Sequence, residues 1–431
     1  MGWRRIVGRR ARLGTARVTD HEICRERFPG GVAWAGRTGG GRSGDAVGCQ
    51  GQDGKPAQGG SDSVRSAVVA HGRGVEGRLG LGKRRRDRRL RPARPRRTLP
   101  RPIATGNAES VRKTFTALLE PWPDVGWQAD FLESWPHLRT WYLSEGLEAR
   151  PTVPDVRIAL TRHMPELVPV WDRLCELAGD DPVAHSFLGL YGRPRVIGRC
   201  SQAVWLGAGG PALLRNYDFE PDRMMARIDV TRWFGRPVIA MGQAAWGCLD
   251  GMNGDGLAAS LTFGGGKAYR RGFTISLLLR YVLETCRTVA EAAAALCRIP
   301  VAQSQNVTLV DVSGDHALVY LGPDRDPRVT RGLTCTNHQE TVTWPEMAML
   351  SLTVERHAAL EDALAASPDI ETLTSAMLAP PLYVRGSQTV TAYTAVYRPL
   401  EGVVDYLWPG KRWRQGFEAF TPGSYEHDYD T

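Results

Sequence analysis

The sequence predicts an α+β fold, with helices packed on antiparallel sheets, preceded by a disordered basic tail. Two observations give the fold and one gives the tail. Apolar runs of period two are broken by Gly, Asn and Asp in the manner of hairpins. The coarse order is strands, two helices, strands, helix, strands, which disfavours a doubly wound parallel sheet. The composition changes character near residue 110.

The net charge of +9 hides that change. Residues 1–110 hold 25 of the 55 Lys and Arg, 9 of the 46 Asp and Glu, and 21 of the 48 Gly. This quarter is therefore at +16 and the rest at −7. It shows no sustained helical or strand period and too little apolar surface to offset chain entropy, so it reads as disordered. Lys83 to Arg97 could neutralise phosphates, and nucleic-acid binding through this run is one alternative function. No aromatic residues interleave it, so a solvated tail is the simpler reading. A reading frame started too far upstream would give the same Arg/Gly-rich text, with the natural product beginning near Val111. Arg4-Arg5 and Arg9-Arg10 are followed by no apolar stretch of signal length, and no run approaches a membrane span. The eight cysteines form no Cys-x-x-Cys pair and no zinc spacing, as in a cytoplasmic protein with reduced thiols.

Globular sequence begins near Thr114. Residues 111–199 read as a helical fragment, aromatic-rich through Trp122, Trp127, Phe131, Trp135, Trp141 and Tyr142, with breaks at Pro121, Pro123 and Pro136. Pro154 to Ala178 reads as a helix interrupted at Pro165 and Pro169. His163 lies beside its apolar face and reads as structural. Residues 200–431 form the second fragment. Arg236 to Gly242 reads as a strand, Asp250 to Leu257 as a turn, and Ala258 to Phe263 as a strand ended by Gly264-Gly265-Gly266. Helices follow over Thr274–Arg287 and Val289–Arg298, the second capped by Thr288 with Glu291 completing a capping box. A hairpin turns at Ser313-Gly314-Asp315, Val329–Asn337 returns to the centre, a charged helix spans Met349–Ala366, and Thr389–Tyr397 with Val403–Trp408 close the chain.

The chemistry gathers at Arg199-Cys200-Ser201-Gln202-Ala203-Val204-Trp205. This run alternates, turns through Gly207 to Pro211, and returns as Leu213 to Phe219. Such a hairpin brings Arg215 and Asp218 back toward Cys200, so a thiol, a guanidinium and a carboxylate could meet. A buried free cysteine in a hairpin would give the same pattern.

Cys200 to Trp205, Arg215-Asn216-Tyr217-Asp218, Asp250-Gly251-Met252-Asn253 with Gly256-Leu257, and Thr336-Asn337-His338 occur in one order. In that order the chain resembles the peptidase C45 family of autoproteolytic acyltransferases and hydrolases, whose members are similar to acyl-coenzyme A:6-aminopenicillanic acid acyltransferase and to choloylglycine hydrolases. The resemblance implies a four-layer αββα N-terminal nucleophile (Ntn) hydrolase over residues 111–431. It implies self-cleavage at Arg199–Cys200, a Cys200 acyl-enzyme, Arg215 beside the thiolate, Asp218 orienting the new α-amine and Asn337 donating to the oxyanion. Thr262 stands where choloylglycine hydrolases carry asparagine and is an oxyanion or pocket candidate. Arg199 stands where glycine is usual. His338 is given no catalytic role. The implied substrates are small linear amides or thioesters, with acyl-coenzyme A an admissible co-substrate and no cofactor or metal. The cleavage fragments would stay associated. Water as sole acceptor and an uncut, inactive scaffold are the alternatives.

Overall fold

The computed structural model describes residues 112–386 and 389–429. The basic tail, with its nucleic-acid and start-site readings, lies outside the described residues. Strand β1 (Arg112–Leu119) opens the described chain and is followed by helices α1 (Val125–Tyr142), α2 (Val153–His163), α3 (Val168–Ala178) and α4 (Pro182–Leu188). Next come β2 (Arg199–Trp205), β3 (Ala212–Phe219), β4 (Arg227–Thr231), β5 (Val238–Gln243), β6 (Gly247–Asn253) and β7 (Leu257–Phe263). Helices α5 (Ile275–Thr285) and α6 (Val289–Arg298) precede β8 (Gln305–Asp311), β9 (His316–Leu321), β10 (Arg328–Thr330) and β11 (Thr334–Cys335). The chain ends with α7 (Pro345–Ser351), α8 (Thr353–Ala366), α9 (Ile370–Met377), β12 (Val390–Arg398), β13 (Val403–Trp408), β14 (Lys411–Gly416) and β15 (Gly423–Asp428).

Two sheets form. The nine-stranded sheet runs β10-β9-β8-β7-β6-β5-β4-β1-β15, and the six-stranded sheet runs β11-β2-β3-β12-β13-β14. All neighbours are antiparallel except β1 and β4. Helices α5 and α6 pack on the larger sheet, α8 and α9 on the smaller, and β2 and β3 face β7 and β8. The layers are therefore α, β, β, α, as the sequence predicts.

Alternation along β2 assigns its two faces. Cys200 and Val204 join the apolar core between the sheets, while Ala203 and Trp205 pack with Leu360 and Leu373 under α8 and α9. Between the sheets Gln202 makes a buried polar tie. It donates to Ser260 Oγ and the Leu261 carbonyl, both at 2.7 Å, and accepts from Thr308 at 2.6 Å. A slip of one residue would expose this amide to the apolar helical side, so the tie also fixes register.

Several local expectations are corrected. Residues 112–119 form a strand rather than a helix, and only Phe115 and Ala117 of it lie in the core. Pro136 sits inside α1 without ending it, since Trp127, Phe131 and Trp135 bury one continuous face around it. Asp250 to Asn253 belong to strand β6, and the turn is confined to the residues between β6 and β7. The charged helix is two helices, broken where Leu352 adopts φ 49°. Thr288 caps α6 as expected, but the Glu291 carboxylate accepts from the Arg287 N–H instead of closing the box. Strands β14 and β15 have no counterpart in the sequence reading.

Candidate active site

Cys200 is the second residue of β2 and is buried between the sheets. The β2–β3 register pairs Cys200 with Tyr217, Gln202 with Arg215 and Arg199 with Asp218. Arg215 and Asp218 are three positions apart, so they project from opposite faces of β3. Arg215 shares the inter-sheet face, and its Nη2 lies 3.4 Å from Cys200 Sγ. Burial pushes the Cys200 thiol pKa up, while the Arg215 charge and the Arg215 and Thr262 hydrogen bonds pull it down. Nη1 of Arg215 donates to the Leu249 carbonyl at 2.7 Å and pairs with Asp250. Asp250 also accepts from Tyr393 at 2.5 Å and from Tyr397. A fully buried carboxylate with these donors keeps a fully buried guanidinium charged and fixed beside the thiol.

Asp218 faces the helical side. Its carboxylate accepts from Thr391 Oγ1 at 2.7 Å and from Arg356 at 3.1 Å. Burial raises its pKa, with Arg356 and Thr391 opposing the rise. Arg356, on α8, is the residue that joins the separate parts. Its Nη1 donates to the Cys200 carbonyl and to Ser201 Oγ, both at 3.0 Å, and its Nη2 donates to Asn337 Oδ1 at 2.6 Å. Asp218 thus reaches Cys200 through Arg356 rather than by direct contact. The sequence reading did not single out Arg356. A lone arginine on a charged helix normally belongs to a solvated face, and nothing local reveals that this one is buried.

Asn337 follows the short strand β11. Its Oδ1 accepts from the Cys200 backbone N–H at 3.0 Å as well as from Arg356. Both partners are donors, which fixes the orientation of the amide. Its Nδ2 donates to Thr262 Oγ1 at 2.7 Å and to the Phe263 carbonyl at 3.2 Å. Thr262 therefore sits between the Asn337 amide and the Cys200 sulfur. Gly265, at φ 76°, lets the glycine loop run against the Asn337 main chain, where a Cβ would come within 2.5 Å of its carbonyl oxygen. His338 turns away, bonding Thr353 Oγ1 at 2.9 Å and Thr336 Oγ1 at 3.3 Å.

A cavity of about 400 Å³ opens onto Cys200. Trp127, Phe131 and Trp141 line it together with Tyr217, Leu249 and Phe263. Residues before and after Cys200 thus build one chamber. No group of His, Cys, Asp and Glu with the makings of a metal site occurs among the described residues. No helix among the described residues is long and apolar enough to cross a membrane.

Residues 205–413 match the family model described as acyl-coenzyme A:6-aminopenicillanic acid acyl-transferase. That stretch, just under half of the chain, is similar to this acyl-transferase family. The match points to an enzyme of the acyl-transferase class. The match begins five residues after Cys200, so Cys200 rests on the geometry and motifs above. Among solved structures, similarity extends to the conjugated bile acid hydrolase of Clostridium perfringens, at 13% identity over 53% of this chain and 97% of that one, with a TM-score of 0.40. It also extends to penicillin V acylase of Agrobacterium tumefaciens, at 18% identity over 53% and 86%, with a TM-score of 0.36. A third is the Caenorhabditis elegans orthologue of N-acylethanolamine-hydrolyzing acid amidase, at 14% identity over 46% and 93%, with a TM-score of 0.34. No curated protein sequence matches this one.

Proposed function

We propose that this chain is an autoproteolytic cysteine Ntn enzyme that cleaves or transfers acyl groups at linear amide or thioester bonds. The observation that carries the reading is Cys200 at the start of an inner strand, with Arg215 at its sulfur, Asn337 at its nitrogen and a largely apolar chamber before it. In self-cleavage Sγ attacks the Arg199 carbonyl carbon, a C–S bond forms, and the C–N bond breaks. The thiol proton goes to the departing Cys200 nitrogen, and water then hydrolyses the thioester.

The new α-amine titrates near pH 7.7–8.0 in ordinary surroundings, so it can take the thiol proton in later turnovers without a histidine. Asn337 Oδ1, already an acceptor for that nitrogen, keeps the amine oriented, and Arg356 keeps Asn337 oriented in turn. Asp218 acts one step further out by balancing Arg356. Arg215 offsets part of the cost of forming a thiolate in a buried site. Asn337 Nδ2 and Thr262, bonded to each other beside Cys200, serve as oxyanion donors once the carbonyl oxygen of a substrate displaces their mutual bond. Acyl transfer and hydrolysis use the same residues, and competition between water and an added amine distinguishes them. Acyl-coenzyme A fits this scheme as an acyl donor.

Strand β1 precedes the cut yet lies between β4 and β15, paired with both. Separating the fragments would strip two strand edges, so they should remain associated. Intact-mass measurement on purified protein tests the reading. Two co-purifying fragments, the second beginning at Cys200, are expected, together with release of acid from a simple N-acyl amide. Full turnover by an uncut chain would overturn the free-amine mechanism.

A further inference from the structure

The chamber before Cys200 is mostly apolar, with one unusual buried cation. Arg193 is 5% exposed and lines the cavity together with Cys200, yet among the described residues it has no hydrogen-bond or ion-pair partner. Its guanidinium lies over the rings of Phe187, at 4.3 Å, and Trp141, at 4.9 Å, which hold the planar group by stacking. Burial pushes its pKa down to about 10, so it stays charged at neutral pH. Tyr269 lines the same cavity, and its buried hydroxyl is also unpartnered. Burial raises the Tyr269 pKa, which keeps the phenol an O–H donor.

The acids around the chamber are engaged elsewhere or exposed. Glu145, whose charge reaches Tyr269, pairs with Arg150. Asp130 pairs with Arg227 at 2.6 Å, and Asp222 is exposed. The other lining arginines, Arg223 and Arg227, have carboxylate partners of their own. A buried charge left alone is costly, and an unfilled ligand site is a direct reason to keep one.

We propose that Arg193, with the Tyr269 hydroxyl, forms an anion subsite of the Cys200 chamber, and that the enzyme's substrates carry a carboxylate that docks there. One guanidinium and one neutral donor match a single negative charge. A phosphate monoester, near −2 at neutral pH, would bring twice that into the same apolar surroundings. Planar, two-oxygen recognition also suits a guanidinium edge.

This inference rests on the proposed Cys200 chemistry, and the test separates the two. Wild-type enzyme is assayed on matched N-acyl amino acids and their N-acyl amino acid carboxamides, which differ only in the charge of one group. Wild type should prefer the carboxylate in kcat/KM by about 100-fold, the scale of a buried charge pair lost. In Arg193→Met that preference should collapse toward one, chiefly through KM, and Arg193→Lys should retain part of it. Tyr269→Phe, a gentler change, should reduce the preference by about 10-fold, the worth of one hydrogen bond to a charged group. As a readout without turnover, a simple aryl carboxylate should raise the melting temperature of Cys200→Ala and lose that effect when Arg193→Met is added. Equal use of both substrates by wild type would overturn the subsite while leaving the Cys200 chemistry intact. An equal fall in both activities in Arg193→Met, with the ratio unchanged, would make Arg193 structural and also overturn it. Failure to turn over either substrate, with no carboxylate stabilisation of Cys200→Ala, would count against both proposals.

Discussion

Arg215 and Arg193 are both buried and both serve the chamber before Cys200, yet their surroundings are opposite. Arg215 meets Asp250, the Leu249 carbonyl and the Cys200 sulfur, and Asp250 is itself held by two tyrosine hydroxyls. Arg193 meets two aromatic faces and no acid. A charge neutralised within the protein is scaffold, fixed before any substrate arrives. A charge left open is affinity held for a ligand, at a cost to the empty protein. The Cys200 side therefore resembles a charge-balanced polar network, complete but for Arg215 Nε, and the Arg193 side a half of one.

The comparison breaks most completely at the sulfur. Cys200→Ala should remain full length and lose turnover entirely, because in the proposed mechanism self-cleavage and acyl transfer need the same atom. Gels and a chromogenic amide assay read the two outcomes together, and a cut alanine variant would move the nucleophile elsewhere.

Asn337→Ala should come next, with kcat down by about 10²–10³ from loss of one oxyanion donor. The same change removes the acceptor on the Cys200 nitrogen, so cleavage of the precursor should slow as well. A kcat near wild type would remove Asn337 from the oxyanion role and leave Thr262 to fill it.

Much of this site was readable from sequence, and the failures have particular causes. Period-two alternation placed Cys200 and Gln202 on one face and Ala203 on the other, and the hairpin length brought Arg215 back to the sulfur. The same alternation separates Arg215 from Asp218, because an interval of three cannot keep two side chains on one face of a strand. Arg356 was out of reach because its burial depends on α8 docking over β2, a contact more than 150 residues apart in sequence. Asp250 reads as a turn residue from sequence because Gly251, Asn253 and Gly254 follow it. Gly251 instead packs so closely that a Cβ would come 2.7 Å from the Ile239 carbonyl oxygen, inside a buried strand. Arg193 carries no motif, and only the cavity reveals it.

Stability measurements sharpen the contrast. Arg215→Met leaves Asp250 as a buried carboxylate without its cation, and breaking such a pair costs about 3–5 kcal/mol. The urea midpoint of the uncut Cys200→Ala background should fall accordingly, whereas an unfolding free energy within about 1 kcal/mol of the parent would mean that the tyrosines alone hold Asp250.

The smallest effect is the one that separates the two arginines. A pKa lowered from the ordinary arginine range to about 10 means that the folded protein disfavours the charged form of Arg193. The sign is fixed. Below pH 10 the charge is present and its cost is felt in full, and that cost is relieved only as pH rises through the lowered pKa. By linkage the cost is about 3 kcal/mol, an order-of-magnitude figure. Arg193→Met removes the charge but also forfeits stacking on Phe187 and Trp141, worth about 0.5–2 kcal/mol. Methionine fills much of the same space with an adaptable chain, so cavity formation takes back little. The net expectation for Arg193→Met is a gain of about 1 kcal/mol at pH 7, opposite in sign to Arg215→Met. Urea denaturation in the same Cys200→Ala background measures both on one scale. A loss of 2 kcal/mol or more at Arg193, on the scale of a broken buried pair, would show that its charge is satisfied within the protein and would erase the difference between the two ends of the chamber.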